Sequence, residues 1–363
     1  MRKAFFPHME WAKAQSRRPA KVPLGFSGAL HPRGEALKEH ASGDAALQSL
    51  VGRRYGVPAD HVYLAGGTSL ANFIALAALA DPGETVLVET PRYASLAEIP
   101  RGLGCRVVDV PRCPSGRLGP LPAAGRLLVV TNPHNPTGRL LDAADWGALE
   151  RFARRGVVLV DEVYRDLQEH PGRVAAARHP RFLTTGSLTK AYGLGALRLG
   201  WVLGAPDLLR EIARVDNLVS VQVATPSLLL ARRLWPRLDG LRRRAVRHVD
   251  GNLGFLRASG LRFVEPQAGL TALVDVGDGD AVADLLAKEG VAVARGSFFG
   301  APAAVRVFLG APPALFRRGI RALCRVTAGR VARSRRSGRR AAGDGRRRRR
   351  RTWPAARRGP GRP

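Results

Sequence analysis

The 363 residues carry a formal net charge of +30, with 45% hydrophobic and 24% charged residues, so the chain can bury a sizeable core and is long enough for about two domains. Three cysteines (Cys105, Cys113, Cys324) without CxxC spacing exclude a disulfide-stapled scaffold and suit a reducing cytosol. No run approaches the ~18 apolar residues of a membrane span, and the basic N-terminus lacks the apolar stretch of a signal peptide, so a cytoplasmic protein is expected.

The first 44 residues are Pro-rich and too short to fold alone, and are expected to pack on the smaller of two domains. A large domain is predicted over 45–240. Short apolar runs at 61–67, 85–89, 106–110, 126–131, 157–162, 182–187 and 198–204 read as strands. Several are continuous Val/Leu runs, as strands covered on both faces require. A helical pattern at 69–80 places Leu70, Phe73, Ile74, Ala77 and Ala78 on one stripe, ended by Asp81-Pro82-Gly83. This alternation predicts a doubly wound α/β domain with a mostly parallel sheet. Residues 206–247 read as one or two long helices broken near Pro226 and Pro236. Strand patterns at 261–265, 270–276, 291–295 and 304–309, with a helix around 280–289, predict a small α+β domain over 241–326.

Residues 327–363 hold fifteen Arg, no Lys and one acid. Such a segment cannot bury enough apolar surface to order itself, so an Arg-rich disordered tail is expected. Non-specific binding to nucleic-acid phosphates is one reading of it. A coding frame lost near residue 324 of a GC-rich gene is the preferred one, since the segment uses largely residues with GC-rich codons.

The chemistry concentrates in SLTKAYGLGALRLGW (187–201). A lone lysine is usually a solvated charge. Lys190, however, follows a buried-type strand and is one of six lysines beside 53 arginines. An amine condenses with a carbonyl; a guanidinium does not. The segment resembles the cofactor-lysine motif of the aspartate aminotransferase superfamily, the class I/II aminotransferases of pyridoxal 5'-phosphate (PLP) fold type I. TNPHNPTGR (131–139) and VVLVDEVYRDL (157–167) resemble that family's other two motifs, in order.

The resemblance implies a large doubly wound domain plus a smaller α+β domain, PLP as cofactor, and transfer of an amino group between an amino acid and a 2-keto acid. It makes Lys190 the lysine that holds PLP as an aldimine and then moves the substrate proton. Asp161 would pair with the pyridinium nitrogen, Asn135 and Tyr164 with the phenolic oxygen, and Tyr93 would stack on the ring. Gly67 and Thr68, at a strand–helix junction where backbone N–H groups favour anions, would hold the phosphate together with Ser187 and Arg198. Arg306 in AVRVFLGAP, with Asn135, would bind the substrate α-carboxylate. A homodimer is implied, although residues 37–43 contain no tyrosine where dimeric members offer one to the neighbouring phosphate, and His40 stands nearest.

Three readings compete with transamination. A decarboxylase, β-lyase or cyclase would share fold and cofactor. A non-catalytic regulator would need a helix-turn-helix, which the first 44 residues lack, and a nucleic-acid binder rests on the tail alone. The histidines form no metal constellation; His134 reads as a loop residue.

Overall fold

The computed structural model describes the backbone over residues 40–113 and 116–345, and side chains over 44–113 and 116–329. The expected packing of the N-terminal segment 1–44 falls almost wholly outside the described residues, as does the six-Arg run at 346–351.

Seven strands form the principal sheet: β1 (Val62–Ala65), β2 (Thr85–Thr90), β3 (Arg106–Pro111), β4 (Leu127–Thr131), β5 (Val157–Asp161), β6 (Phe182–Ser187) and β7 (Gly200–Leu203). Their spatial order is β1-β7-β6-β5-β4-β2-β3. All pairings are parallel except the two made by β7. Every residue of β4 and β5 is buried, as continuous Leu/Val runs demand when both faces are covered. The two-residue period then divides them between two cores. Leu127, Val129, Val157 and Leu159 face α2 (Thr68–Leu79), α3 (Ser95–Gly102) and α5 (Pro206–Asp216). Leu128, Val130, Val158 and Val160 face α4 (Ala143–Ala153). A capping box of Asp142 and Asp145 starts α4.

The expected helical stretch 206–247 is divided more finely than the sequence suggests. Helix α5 ends at Asp216, α6 (Thr225–Leu234) begins with Pro226 in its first turn, and a short 3-10 turn around Pro236 leads into α7 (Leu238–Arg257). Proline is well tolerated in a first turn and poorly in a helix interior, so each proline starts a new segment.

A second sheet, β10-β11-β9-β8, is antiparallel throughout. It comprises β8 (Phe263–Val264), β9 (Thr271–Asp275), β10 (Ala294–Arg295) and β11 (Ala304–Phe308). Helix α8 (Gly279–Lys288) joins β9 to β10. After β11 comes α9 (Pro313–Gly345). It buries Phe316, Ile320, Ala322 and Leu323 in the core shared with α7. As described, this helix runs past residue 327, where the Arg-rich segment begins, as far as Gly345. Residues 314–345 contain no proline and are rich in Arg and Ala, both strong helix formers. Composition argued against a packed core, and it does not forbid a helix.

Among the described residues no helix is long and apolar enough to cross a membrane.

Candidate active site

The strand order reverses between β2 and β4, and in such sheets ligands bind beyond the carboxyl ends of the strands at this point. The register brings the sequence-selected residues there. Thr131 at the end of β4 pairs with Asp161 at the end of β5, and Asp161 with Thr185 of β6. Lys190 follows β6 by three residues. Because β7 runs the opposite way, its start lies at this same edge. Gly200 is in register with both Ser187 and Ala65, so Arg198, Ser187 and the start of α2 become neighbours.

A cavity of about 170 Å³ opens here. Its walls include Lys190, Asp161, Tyr164, Asn135, Tyr93, Ser187, Thr68, Arg198 and Arg306. Of the residues selected from sequence only Gly67 is absent from the wall, and it touches one that is present. A Cβ on Gly67 would lie 2.8 Å from Arg198 Nη2, and its φ of +91° favours glycine. Gly67 is also the N-cap of α2, which makes Thr68 the first helical residue.

The Gly67–Thr68 side of the cavity is physically distinct. Thr68 Oγ1 is buried without a hydrogen-bond partner in the first turn of α2, where free backbone N–H groups and the helix dipole favour a negative charge. Arg198 extends its exposed guanidinium beside Gly67 and donates to the Gly66 carbonyl at 3.2 Å. Its own φ is +47°, a left-handed backbone that is rare and strained in a bulky residue. Ser187 is buried. A cradle too narrow for a Cβ, an unpartnered hydroxyl and a guanidinium fit a phosphate-sized dianion.

Asp161 lies at the cavity floor. Its Oδ2 accepts from Asn72 Nδ2 at 2.9 Å and its Oδ1 from the Val163 N–H at 3.0 Å. Asn72 is in turn held by Thr185, whose hydroxyl donates to Asn72 Oδ1 at 2.7 Å. Burial pushes the Asp161 carboxyl up to about 6, against those two hydrogen bonds, which favour the anion. A cation placed beside it would restore full ionisation. Its neighbour Glu162 points to the other face of the strand and accepts from Thr184 and the Ala175 N–H. The two carboxylates therefore do not form a pair.

At the opposite wall Arg306 of β11 donates from Nη1 to Asn135 Oδ1 at 2.8 Å. Its guanidinium stacks 4.4 Å from the Phe299 ring centroid. Burial lowers the Arg306 pKa and raises that of Tyr164, while Tyr93 stays 42% exposed at the rim.

The loop 132–139 that carries Asn135 is tied down on both sides. Gln267 and Ala268 donate their N–H groups to the Gly138 carbonyl, and Thr271 its hydroxyl to Pro136. His134 is buried, contacting the Thr137 hydroxyl at 2.6 Å and the Pro91 carbonyl at 2.8 Å. Burial lowers its pKa to about 4, so it is neutral at pH 7. Its role is within the loop, away from the cavity wall.

Two elements escaped the sequence reading. Asn72 was legible only as the single amide in an otherwise apolar stretch of α2. The ion pair of Glu89 and Arg112 is buried, at 2.6 Å. Glu89 Oε1 also accepts from Thr131 N and Oγ1, and Thr131 Oγ1 accepts the Asn135 N–H at 3.2 Å. The clue was a carboxylate ending the apolar run of β2. Among the described residues no group of three His, Cys, Asp or Glu side chains could hold a metal.

Known proteins align with this arrangement. The profile of the family described as aminotransferase class I and II matches residues 9–323. Histidinol-phosphate aminotransferase 1 of Cupriavidus pinatubonensis is 31% identical, with 80% of this chain and 82% of that protein covered. The arginine–pyruvate transaminase of Pseudomonas aeruginosa is also 31% identical, over 74% of this chain and 76% of its own. A Thermus thermophilus aspartate aminotransferase with maleate superposes with a TM-score of 0.69 at 26% identity, covering 88% of this chain and 86% of that one.

Proposed function

The chain belongs to the class I and II aminotransferase family and is a PLP-dependent aminotransferase; on that premise we propose how its own residues divide the work. The observation that carries the proposal is one cavity with an amine, Lys190, between an anion cradle at Gly67–Thr68 and Arg198 on one side and the Arg306–Asn135 pair on the other. When bound, the cofactor supplies a carbonyl carbon and an electron sink for the bond broken at the substrate Cα.

Thr68, Ser187, Arg198 and the first N–H groups of α2 would hold its phosphate, and Asp161 the ring nitrogen. Asn135 and Tyr164 would donate to the ring hydroxyl, with Tyr93 against the ring face. Arg306 would bind the substrate α-carboxylate through a forked pair of hydrogen bonds, releasing one of its N–H groups from Asn135 to do so. Carboxylate binding fixes Cα beside Lys190 Nζ, and the freed amine then carries the proton away from Cα and returns it during the reverse half-reaction. Arg306 stands on the small sheet and the other groups on the large one, so substrate bridges the two and helps exclude water.

The substrates are an amino acid and a 2-keto acid. The named relatives suggest histidinol phosphate, arginine and aspartate as first donors to assay, with pyruvate as the first acceptor. Large apolar side chains exposed at Leu218, Val219 and Leu230 support a homodimer, and three free cysteines support a cytoplasmic setting.

The test is keto-acid-dependent turnover combined with the visible band of the holoenzyme. Wild type is expected to show a band reducible by borohydride and bleached by the true donor, and Lys190→Ala neither the band nor turnover. Lys190→Ala that keeps the reducible band, or well-folded wild type without one, overturns the assignment.

A further inference from the structure

Three segments of the chain meet at a single carboxylate. Asp166 lies in the 3-10 turn Arg165–Leu167 that follows β5, two residues beyond Tyr164 of the cavity wall. Its Oδ2 accepts from the Tyr55 hydroxyl at 2.6 Å and from the Tyr192 hydroxyl at 2.7 Å. Tyr55 ends α1 (His40–Tyr55), and its ring tilts against Trp201 of β7 with the centroids 5.5 Å apart. Tyr192 follows Lys190 by two residues.

A buried tyrosine hydroxyl ordinarily finds a partner, so neither bond is informative alone. The sparse backbone support of the Lys190 loop gives the second one its weight. Leu188 and Leu194 donate their N–H groups to the Leu199 and Leu188 carbonyls, both at 3.1 Å, and Thr189 donates to the Ser187 hydroxyl at 3.3 Å. Among the described residues the backbone of 190–193 makes no hydrogen bond, and the Tyr192 hydroxyl makes the single side-chain one of that stretch. Tyr192 is only 4% exposed, and the Arg54 guanidinium lies over its ring, 5.4 Å from the centroid. Arg54 is held in turn by Asp239, in the first turn of α7, at 3.0 Å. Burial and the nearby Asp166 carboxylate both raise the Tyr192 pKa, so its hydroxyl stays a donor at neutral pH. The other end of the tether is fixed as well. The Leu167 N–H donates to the Tyr164 carbonyl and the Gln168 N–H to the Arg165 carbonyl, both at 3.0 Å, closing the turn on either side of Asp166.

We propose that Asp166 is a positioning residue: through Tyr192 it sets the register of the loop carrying Lys190 against the turn carrying Tyr164. The inference rests on the roles given to those two residues above. An amine that must meet a carbonyl carbon and then carry a proton loses much of its rate when displaced by about 1 Å, so one tether has a large effect. Tyr55 supplies a comparison within the cluster. Its bond ends on the same oxygen at nearly the same length, yet it leads to α1 and not to the Lys190 loop.

The test compares Tyr192→Phe with Tyr55→Phe, each of which deletes one hydroxyl and keeps the ring, so both are expected to fold even if Asp166→Ala does not. Two measurements need no substrate: the rate at which the borohydride-reducible band forms when saturating PLP is added to the cofactor-free protein, and the pH at which that band changes colour. Tyr192→Phe is expected to slow band formation about tenfold or more. It is also expected to raise the pH of the colour change by about 0.5 or more, as donation from Tyr164 to the ring hydroxyl weakens. Tyr55→Phe is expected to keep the rate within about twofold of wild type, although the thermal midpoints of the two cofactor-free variants lie within about 2 °C of each other. A Tyr192→Phe protein with wild-type rate and pH overturns the inference. So does a Tyr55→Phe protein impaired as much as Tyr192→Phe, or a loss of rate that merely follows the thermal midpoint from variant to variant. Wild type without a reducible band, or Lys190→Ala that keeps one, instead overturns the assignment of Lys190, and the inference falls with it.

Discussion

At the scale of single residues, Asp161 shows how burial and chemistry oppose one another. Burial pushes its carboxyl up to about 6 from its ordinary 3.8, because desolvation outweighs the hydrogen bonds from Asn72 and Val163 and the charge of Lys190. The protonated form is the one that folding favours, so the stability Asp161 contributes to the cofactor-free protein is full below about 3.8 and lost as pH rises past about 6. Two units correspond to roughly 3 kcal/mol. Asp161→Asn is therefore expected to make the apo-protein more stable than wild type above pH 6, and the holoenzyme less able to retain cofactor. Denaturant unfolding of both forms at pH 4 and pH 7.5 checks this, and an apo-variant no more stable than wild type at pH 7.5 counts against it. Gly67 sets a different constraint. Gly67→Ala puts a Cβ 2.8 Å from the Arg198 guanidinium on a backbone of positive φ, at a cost of about 1–3 kcal/mol. Cofactor affinity, read by equilibrium dialysis, is expected to fall with it.

At the scale of elements, the ends of β2, β3 and β4 are held together by side chains as well as by the ladder. Glu89 closes β2 and holds Thr131 at the end of β4, whose hydroxyl receives the amide of Asn135. Arg112, just past β3, neutralises Glu89 and also donates to the Thr131 carbonyl. Removing one partner of a buried ion pair strands the other, at about 3–5 kcal/mol. Glu89→Gln is expected to show that loss in urea unfolding. In whatever fraction folds, KM is expected to rise more than kcat falls, because Asn135 and its partner Arg306 lose their register. A Glu89→Gln enzyme with wild-type stability and KM would show that the network is incidental. The single antiparallel strand β7 is equally consequential: a parallel strand in its place would start at the other edge and take Arg198 away from Ser187 and α2.

At the scale of the whole molecule, α9 closes the core it shares with α7 as far as Leu323 and then runs on as Arg-rich helix. Leu323→Ala is expected to cost about 2–5 kcal/mol, whereas deletion of residues 330–363 is expected to leave the thermal midpoint within about 2 °C. A deletion that unfolds the chain would show that the segment packs. The sequence by itself determined a great deal here. Continuous Val/Leu runs specify strands covered on both faces, the 3.6-residue stripe of α2 specifies its buried side, and motif residues such as Lys190, Asp161 and Asn135 point to the chemistry we propose. Those signals are local, carried by neighbouring residues in the chain. The tertiary structure alone decided what depends on distant pairings. Examples are the meeting of Arg306 with Asn135, 171 residues apart, the support of Asp161 by Asn72, and the burial of Glu89 against Arg112. It also brought Tyr55 and Tyr192 to one oxygen of Asp166. A charged or amide side chain reads the same in sequence whether solvated or buried, and only packing supplies the desolvation and the partner that give it a function.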